Sequence, residues 1–181
     1  ILCVRMEPKF EAKSYVPASI TQVSDSISLV GGRKYRFVDN QGEPQSAKLY
    51  FMKTTNDGIA ALQSALEDGK RDTVKNWRHQ IGSIRSIDLL SPDEKVMGFD
   101  AEWETGTVEI VLHPLSDETA DMIDLFYRIS KISTVKSQVR QYTNGFTFIS
   151  AACTHENIEN IKHLNFLRAV HPLGRINIAP I

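Results

Sequence analysis

The chain has 181 residues, 41% of them hydrophobic and 24% charged, with 21 Lys plus Arg against 22 Asp plus Glu for a net charge of -1. That length holds one domain or two small ones, and the balanced charge excludes a general nucleic-acid footprint. No run approaches the roughly 18 apolar residues of a membrane-spanning helix.

Ile1–Met6 is a β-prone run that stops near Pro8, and Phe10–Tyr15 reads as a turn of helix limited by Pro17. Ile27–Val30 reads as a strand. Gly31-Gly32 is expected to break it before Arg33–Val38 resumes with Tyr35 and Phe37 on one face. Asp39-Asn40-Gln41-Gly42 is a turn signal, and Ala47–Met52 alternates as a further strand. Thr55 or Asn56 caps the next helix, which carries Ile59, Leu62 and Leu66 at helical spacing and is expected to end at Gly69. Asp72–Gln80 reads as a second short helix bearing Trp77. A β-prone stretch follows at Ile84–Leu90, then a turn or helix start at Ser91-Pro92-Asp93-Glu94. Met97–Thr105 carries Trp103, read as a packing anchor.

The second half is more regular. Val108, Ile110 and Leu112 alternate with Thr107, Glu109 and Val111 in a strand that ends at His113-Pro114. Ser116 is a suitable N-cap, and Asp117 and Glu118 place negative charge in the first turn. Ala120, Ile123 and Tyr127, widened by Met122 and Phe126, form one helical stripe. Val135–Tyr142 reads as a strand, Asn144-Gly145 as a hairpin turn, and Phe146–Ala151 as the returning strand. Thr154 caps a helix buried along Ile158 and Ile161, and Phe166–Val170 is the closing strand. Strand, helix, strand, turn, strand, helix, strand is the split βαβ, or ferredoxin-like, order. The expected fold class is therefore α+β, with a ferredoxin-like second half packed with a smaller N-terminal α/β lobe. The expected boundaries are 1–100, 101–173 and an extended tail or linker at 174–181. No clean internal repeat shows at a fixed period. Two helices on one sheet face leave the other face to meet the first half of the chain, another domain or a partner, with Val111, Val139 and one phenylalanine set as its candidates.

Catalytic chemistry finds little support. Cys3 and Cys153 lie in apolar strands and read as buried free thiols. His155 and His163 are read as a surface or cap-adjacent pair rather than metal ligands. His113 and His171 each precede a proline at a strand end, and neither has a nucleophile in its local motif. Gly31-Gly32 matches no nucleotide-binding fingerprint. The basic stretch Lys70, Arg71, Lys75, Arg78 and Arg85 is diluted by Glu67, Asp68 and Asp72 and reads as a solvated helix. Arg140 and Asn144 lack the loop of an acylphosphatase. Tyr142, Phe146 and Phe148 have only Arg140 nearby for an RNA-recognition surface. No catalytic residue, cofactor or metal is expected, and neither is a nucleic-acid or membrane partner.

Val4-Arg5-Met6-Glu7-Pro8 with Ala12-Lys13-Ser14-Tyr15, Leu112-His113-Pro114, and Phe166-Leu167-Arg168-Ala169-Val170-His171-Pro172-Leu173 carry a resemblance. These segments resemble the region ahead of the catalytic domain in bacterial intracellular subtilisin-like serine proteases associated with AAA-type ATPases. The resemblance implies a cytoplasmic, non-catalytic, propeptide-like domain that acts as a folding aid, inhibitor or recruitment module. Its implied partners are a catalytic domain in the same parent chain, lying beyond Ile181, and an AAA-type ATPase. Arg168, His171, Pro172, Leu173, Gly174 and Arg175 are the implied partner interface. A generic protein-interaction or ligand-sensing α/β domain, unconnected to proteolysis, is the alternative.

Overall fold

Alternating apolar positions set the strands, and a computed structural model shows how they pair; it describes residues 1–8, 16–71, 80–114, 118–143 and 145–174. The chain divides into two units, Ile1–Leu90 and Ser91–Ile181. Each is mixed α/β with one antiparallel four-stranded sheet.

In the first unit the order is β1 (Leu2–Met6), α1 (Val16–Thr21), β2 (Ser28–Val38), β3 (Pro44–Lys53), α2 (Asn56–Arg71) and β4 (Ile84–Asp88). The strands lie side by side as β2-β3-β1-β4. Val4, Met6 and Met52 pack with Val16 and Ile20 of α1 and Leu62 of α2 as one apolar layer. Cys3, Leu49 and Phe51 alternate onto the opposite face and cluster with Leu90. That face is sealed with aromatic rings and guanidinium groups. Arg33 lies 5.8 Å from the Phe51 ring centroid, Arg5 5.4 Å from Tyr35, and Arg85 3.8 Å from Phe37.

Two expectations are corrected here. Gly31-Gly32 does not break the strand. β2 runs through both glycines with a bulge between Leu29 and Gly31, and Gly31 takes φ 146, a value that a side chain would disfavour. Gly69 does not end α2, since the helix continues to Arg71 with Gly69 buried inside it. The expected cap holds, because Thr55 Oγ1 accepts from the Gly58 N–H at 3.2 Å. The segments expected at Phe10–Tyr15 and around Trp77 lie outside the described residues.

The second unit repeats the same order: β5 (Thr105–Leu112), α3 (Thr119–Ser130), β6 (Ser137–Gln141), β7 (Thr147–Thr154), α4 (His155–Ile161) and β8 (Leu167–Pro172). Its strands lie as β6-β7-β5-β8, the same relative arrangement as in the first unit. A shared plan without a visible sequence repeat follows from the physics, since pairing order needs matching alternation and turns and does not need matching residues. Ile110, Ile149, Ala151, Leu167 and Val170 are buried with Phe126 of α3 and Ile158 and Ile161 of α4. The α3 stripe centres on Phe126, while Ala120 is exposed.

Asn157 joins the two helices. Its Oδ1 accepts from the Thr154 N–H at 2.8 Å and its Nδ2 donates to the Ser130 carbonyl at 2.9 Å. With Thr154 Oγ1 accepting from the Asn157 N–H at 3.3 Å, this is a capping box for α4 that also satisfies the end of α3. The Ser116 cap and Asn144 lie outside the described residues.

Residues after Leu90 belong to the second unit for a visible reason. Lys95 is 5% exposed and donates from Nζ to the Leu164 carbonyl at 2.7 Å. Val96 bridges Val170 in parallel, and the Met97 N–H donates to the Val170 carbonyl at 2.9 Å. This short segment covers β8 at Val170. Among the described residues no helix is long and apolar enough to cross a membrane.

Candidate interaction surface

The second sheet has a helix-bearing face and an opposite face, and one hydrogen bond fixes which is which. Tyr127 on α3 and Ser137 on β6 share a hydroxyl–hydroxyl bond of 2.7 Å. Ser137 pairs with Ala151, so Ala151, Ile149, Ile110 and Val139 share the helix side. Val139, expected as a candidate for the open face, therefore belongs to the helix side at the sheet edge, where it is 41% exposed. Val111 does lie on the opposite face, across from Phe148.

That opposite face is built in two rows. One crosses the sheet as Gln138, Ser150, Glu109 and His171, and the next as Arg140, Phe148, Val111 and Ala169. Glu109 binds on both sides. Its Oε2 accepts from Arg140 at 2.6 Å, and its Oε1 lies 3.3 Å from His171 Nε2. Arg140 also reaches Ser150 Oγ at 3.3 Å. The carboxylate is an acceptor, so the His171 contact requires a hydrogen on Nε2. The Glu109 side chain is 18% exposed against 46% for Arg140, so the acid sits partly shielded while the cation reaches solvent.

At the hairpin end the surface turns aromatic. The rings of Tyr142 and Phe148 meet edge-on at 5.2 Å, and Phe146 lies 6.4 Å from Phe148. Gly145, at φ 85, makes the turn that brings Phe146 back to the Tyr142 N–H at 3.0 Å. Arg168 stands 4.7 Å above the Phe146 ring. It can do so because β8 shifts register between Val111 and Leu112, and the extra residue re-aims its side chain.

The residues expected at a partner interface are thus partly gathered. Arg168 and His171 belong to β8, with Arg168 on the aromatic cluster and His171 in the ionic row. Pro172 stays in the ladder opposite Val108, and the Leu173 N–H donates to the Thr107 carbonyl at 2.9 Å. A Cβ at Gly174 would meet no described atom within 4 Å beyond its chain neighbours. Arg175 and the rest of the expected tail lie outside the described residues. His113 is buried at 2% exposure, with its backbone N–H donating to the Phe166 carbonyl at 2.9 Å, and does not join the Glu109 ion pairs. Sequence reasoning missed Glu109 as the hub of those pairs. A lone acid among apolar strand positions was the available signal, but its partners lie on two other strands.

Both cysteines are buried free thiols, as expected, and burial pushes the Cys153 thiol up to about 12. Among the described residues no group of three or more His, Cys, Asp and Glu is placed to hold a metal ion.

No known protein-family profile matches the chain. No curated protein matches it either. Among solved structures, one described as a candidate glycine cleavage system transcriptional repressor is similar at 13% identity, over 84% of this chain and 77% of that chain, with a TM-score of 0.25. A likeness of that size carries no argument about fold or activity.

Proposed function

We propose that the chain is a non-catalytic accessory module of a subtilisin-like serine protease, acting as folding aid, inhibitor or recruitment module. Each unit is read as a ferredoxin-like split βαβ domain. The β-α-β-β-α-β order supports this, with the first strand central between the third and the fourth in both sheets. The functional reading is carried by the helix-free face of the second sheet. That face sets a half-exposed aromatic cluster beside an ion-paired row, on strands whose last member leads directly to Leu173 and Gly174. Aromatic rings and arginines beside polar groups are the composition that protein interfaces favour. By the family resemblance the partner is a catalytic domain in the same parent chain, an AAA-type ATPase is a second partner, and the setting is cytoplasmic.

The reading frame after Ile181 is the first test, and a subtilisin-type domain there is the expected result. The whole parent is then expressed with Arg140→Glu and Tyr142→Glu, two exposed changes on this face, with folding checked by circular dichroism. The expected result is a changed yield or a changed inhibition of active protease. A frame without a subtilisin-type domain, or protease maturation untouched by both substitutions, overturns the reading.

A further inference from the structure

The outer half of the β2–β3 hairpin carries charge that the fold does not use. In the strand register Lys34 faces Lys48, Arg36 faces Ser46, and Val38 faces Pro44, so these six residues share one side of the ribbon. All six are exposed, and Val38 is 65% exposed. Directly opposed residues stand about 5 Å apart at Cβ, where like charges are destabilising. No ion pair among the described residues relieves Lys34, Arg36 or Lys48. Of the two acids at the hairpin tip, Asp39 is engaged by its own turn, and exposed Glu43 forms no ion pair with Lys34, Arg36 or Lys48 among the described residues. Asp39 Oδ1 accepts from the Gln41 and Glu43 N–H groups, each at 2.9 Å, and Oδ2 accepts from Gln45 Nε2 at 2.9 Å. Lysine on an outer strand such as β2 is a known guard against unwanted pairing. Lys48 lies on β3, inside the sheet, and that explanation does not reach it.

We propose that this side of the hairpin docks an acidic protein segment, with carboxylates over Lys34, Arg36 and Lys48 and an apolar side chain against Val38 and Pro44. Charge complementarity selects an anionic partner, and the exposed apolar end selects a protein over a nucleic acid. Bases would require a stacking platform. The nearby rings of Tyr35 and Phe37 occupy the other side of the ribbon, with Arg5 and Arg85 over them. The inference is independent of the protease reading, since it concerns the first unit.

The test is fluorescence anisotropy on the full chain with three labelled probes. These are a dodecapeptide rich in Glu and Asp with two Leu, the same peptide with Gln and Asn for the acids, and a thymidine oligonucleotide of similar length. The acidic peptide is expected to bind best, with affinity falling as salt rises. The double variant Lys34→Glu/Lys48→Glu is expected to weaken it at least about tenfold, by setting like charges against it. Val38→Ser is expected to weaken it about threefold through lost apolar contact. Equal binding of the two peptides, or unchanged binding by a folded double variant, overturns the proposal. Tighter binding of the oligonucleotide overturns it in favour of a nucleic-acid backbone.

Discussion

Asn157 is the side chain whose removal most sharply tests how the second unit is held together. It accepts from the Thr154 N–H at 2.8 Å and donates to the Ser130 carbonyl at 2.9 Å, so one amide starts α4 and finishes α3. Loss of a capping interaction costs about 1 kcal/mol. Loss of the bond to a partly buried carbonyl adds about 1 kcal/mol. Asn157→Ala is therefore expected to cost about 2 kcal/mol, or a fall in Tm of about 4–8 °C for a chain of this size. Thr154→Ala removes only the cap hydroxyl and is expected to cost about 1 kcal/mol. Asn157→Asp separates the two roles. The carboxylate still accepts from Thr154 and suits a helix N-terminus, but it cannot donate to Ser130 and faces that carbonyl with negative charge. Urea unfolding followed by circular dichroism at neutral pH measures all three. If Asn157→Ala costs no more than Thr154→Ala, or if Asn157→Asp is neutral, the link to Ser130 contributes nothing and the reasoning fails.

The Cys153 thiol, pushed up to about 12 by burial, leaves roughly one thiolate in ten thousand at pH 8. A thiol reagent should therefore label it only on unfolding, and rapid labelling of the native chain would contradict this. Lys48→Glu converts an opposed like-charge pair into an attractive one and is expected to stabilise the fold by about 0.2–1 kcal/mol; the gain should fade at high salt, and a destabilised variant would count against the assigned register. Hydrogen bonds from the Glu43 N–H, the Gln41 N–H and the Gln45 amide hold the Asp39 carboxyl below its ordinary 3.8, against a smaller opposing effect of desolvation. A depressed carboxyl contributes stability that is present above its unfolded pKa and is lost as pH falls through the folded one. Asp39→Asn should thus lose stability at pH 5 and flatten the decline below pH 4 in urea titrations, and an unchanged acid limb would contradict the assignment.

Local chemistry was legible in the sequence wherever a short segment decides the outcome. Thr154 and Thr55 cap as their patterns require, because an N-cap needs only its own next turn. The Asp39–Gly42 turn is similarly local. Gly31-Gly32 misled because a glycine pair reads alike as a turn or as a bulge, and only the partner strand β3 decides. Gly69 misled because a glycine inside a helix costs only about 1 kcal/mol and does not by itself end one. The ion-paired cluster of Glu109, Arg140 and His171, which spans two rows, was illegible for a deeper reason. Its members come from three strands, and their convergence depends on a register that no single strand encodes.

The bridge between Val96 and Val170 also orders events in time. Every strand of the first sheet has been made by Asp88, whereas the segment at Val96–Met97 has no place to attach until Val170 exists. At about 5–20 residues per second, a translating ribosome needs about 4–15 s to cover that interval. During those seconds the first sheet has all its strands, while β5 waits for both of its neighbours, β7 and β8. The apolar Val108, Ile110 and Leu112 are then the surface that a holding chaperone would meet.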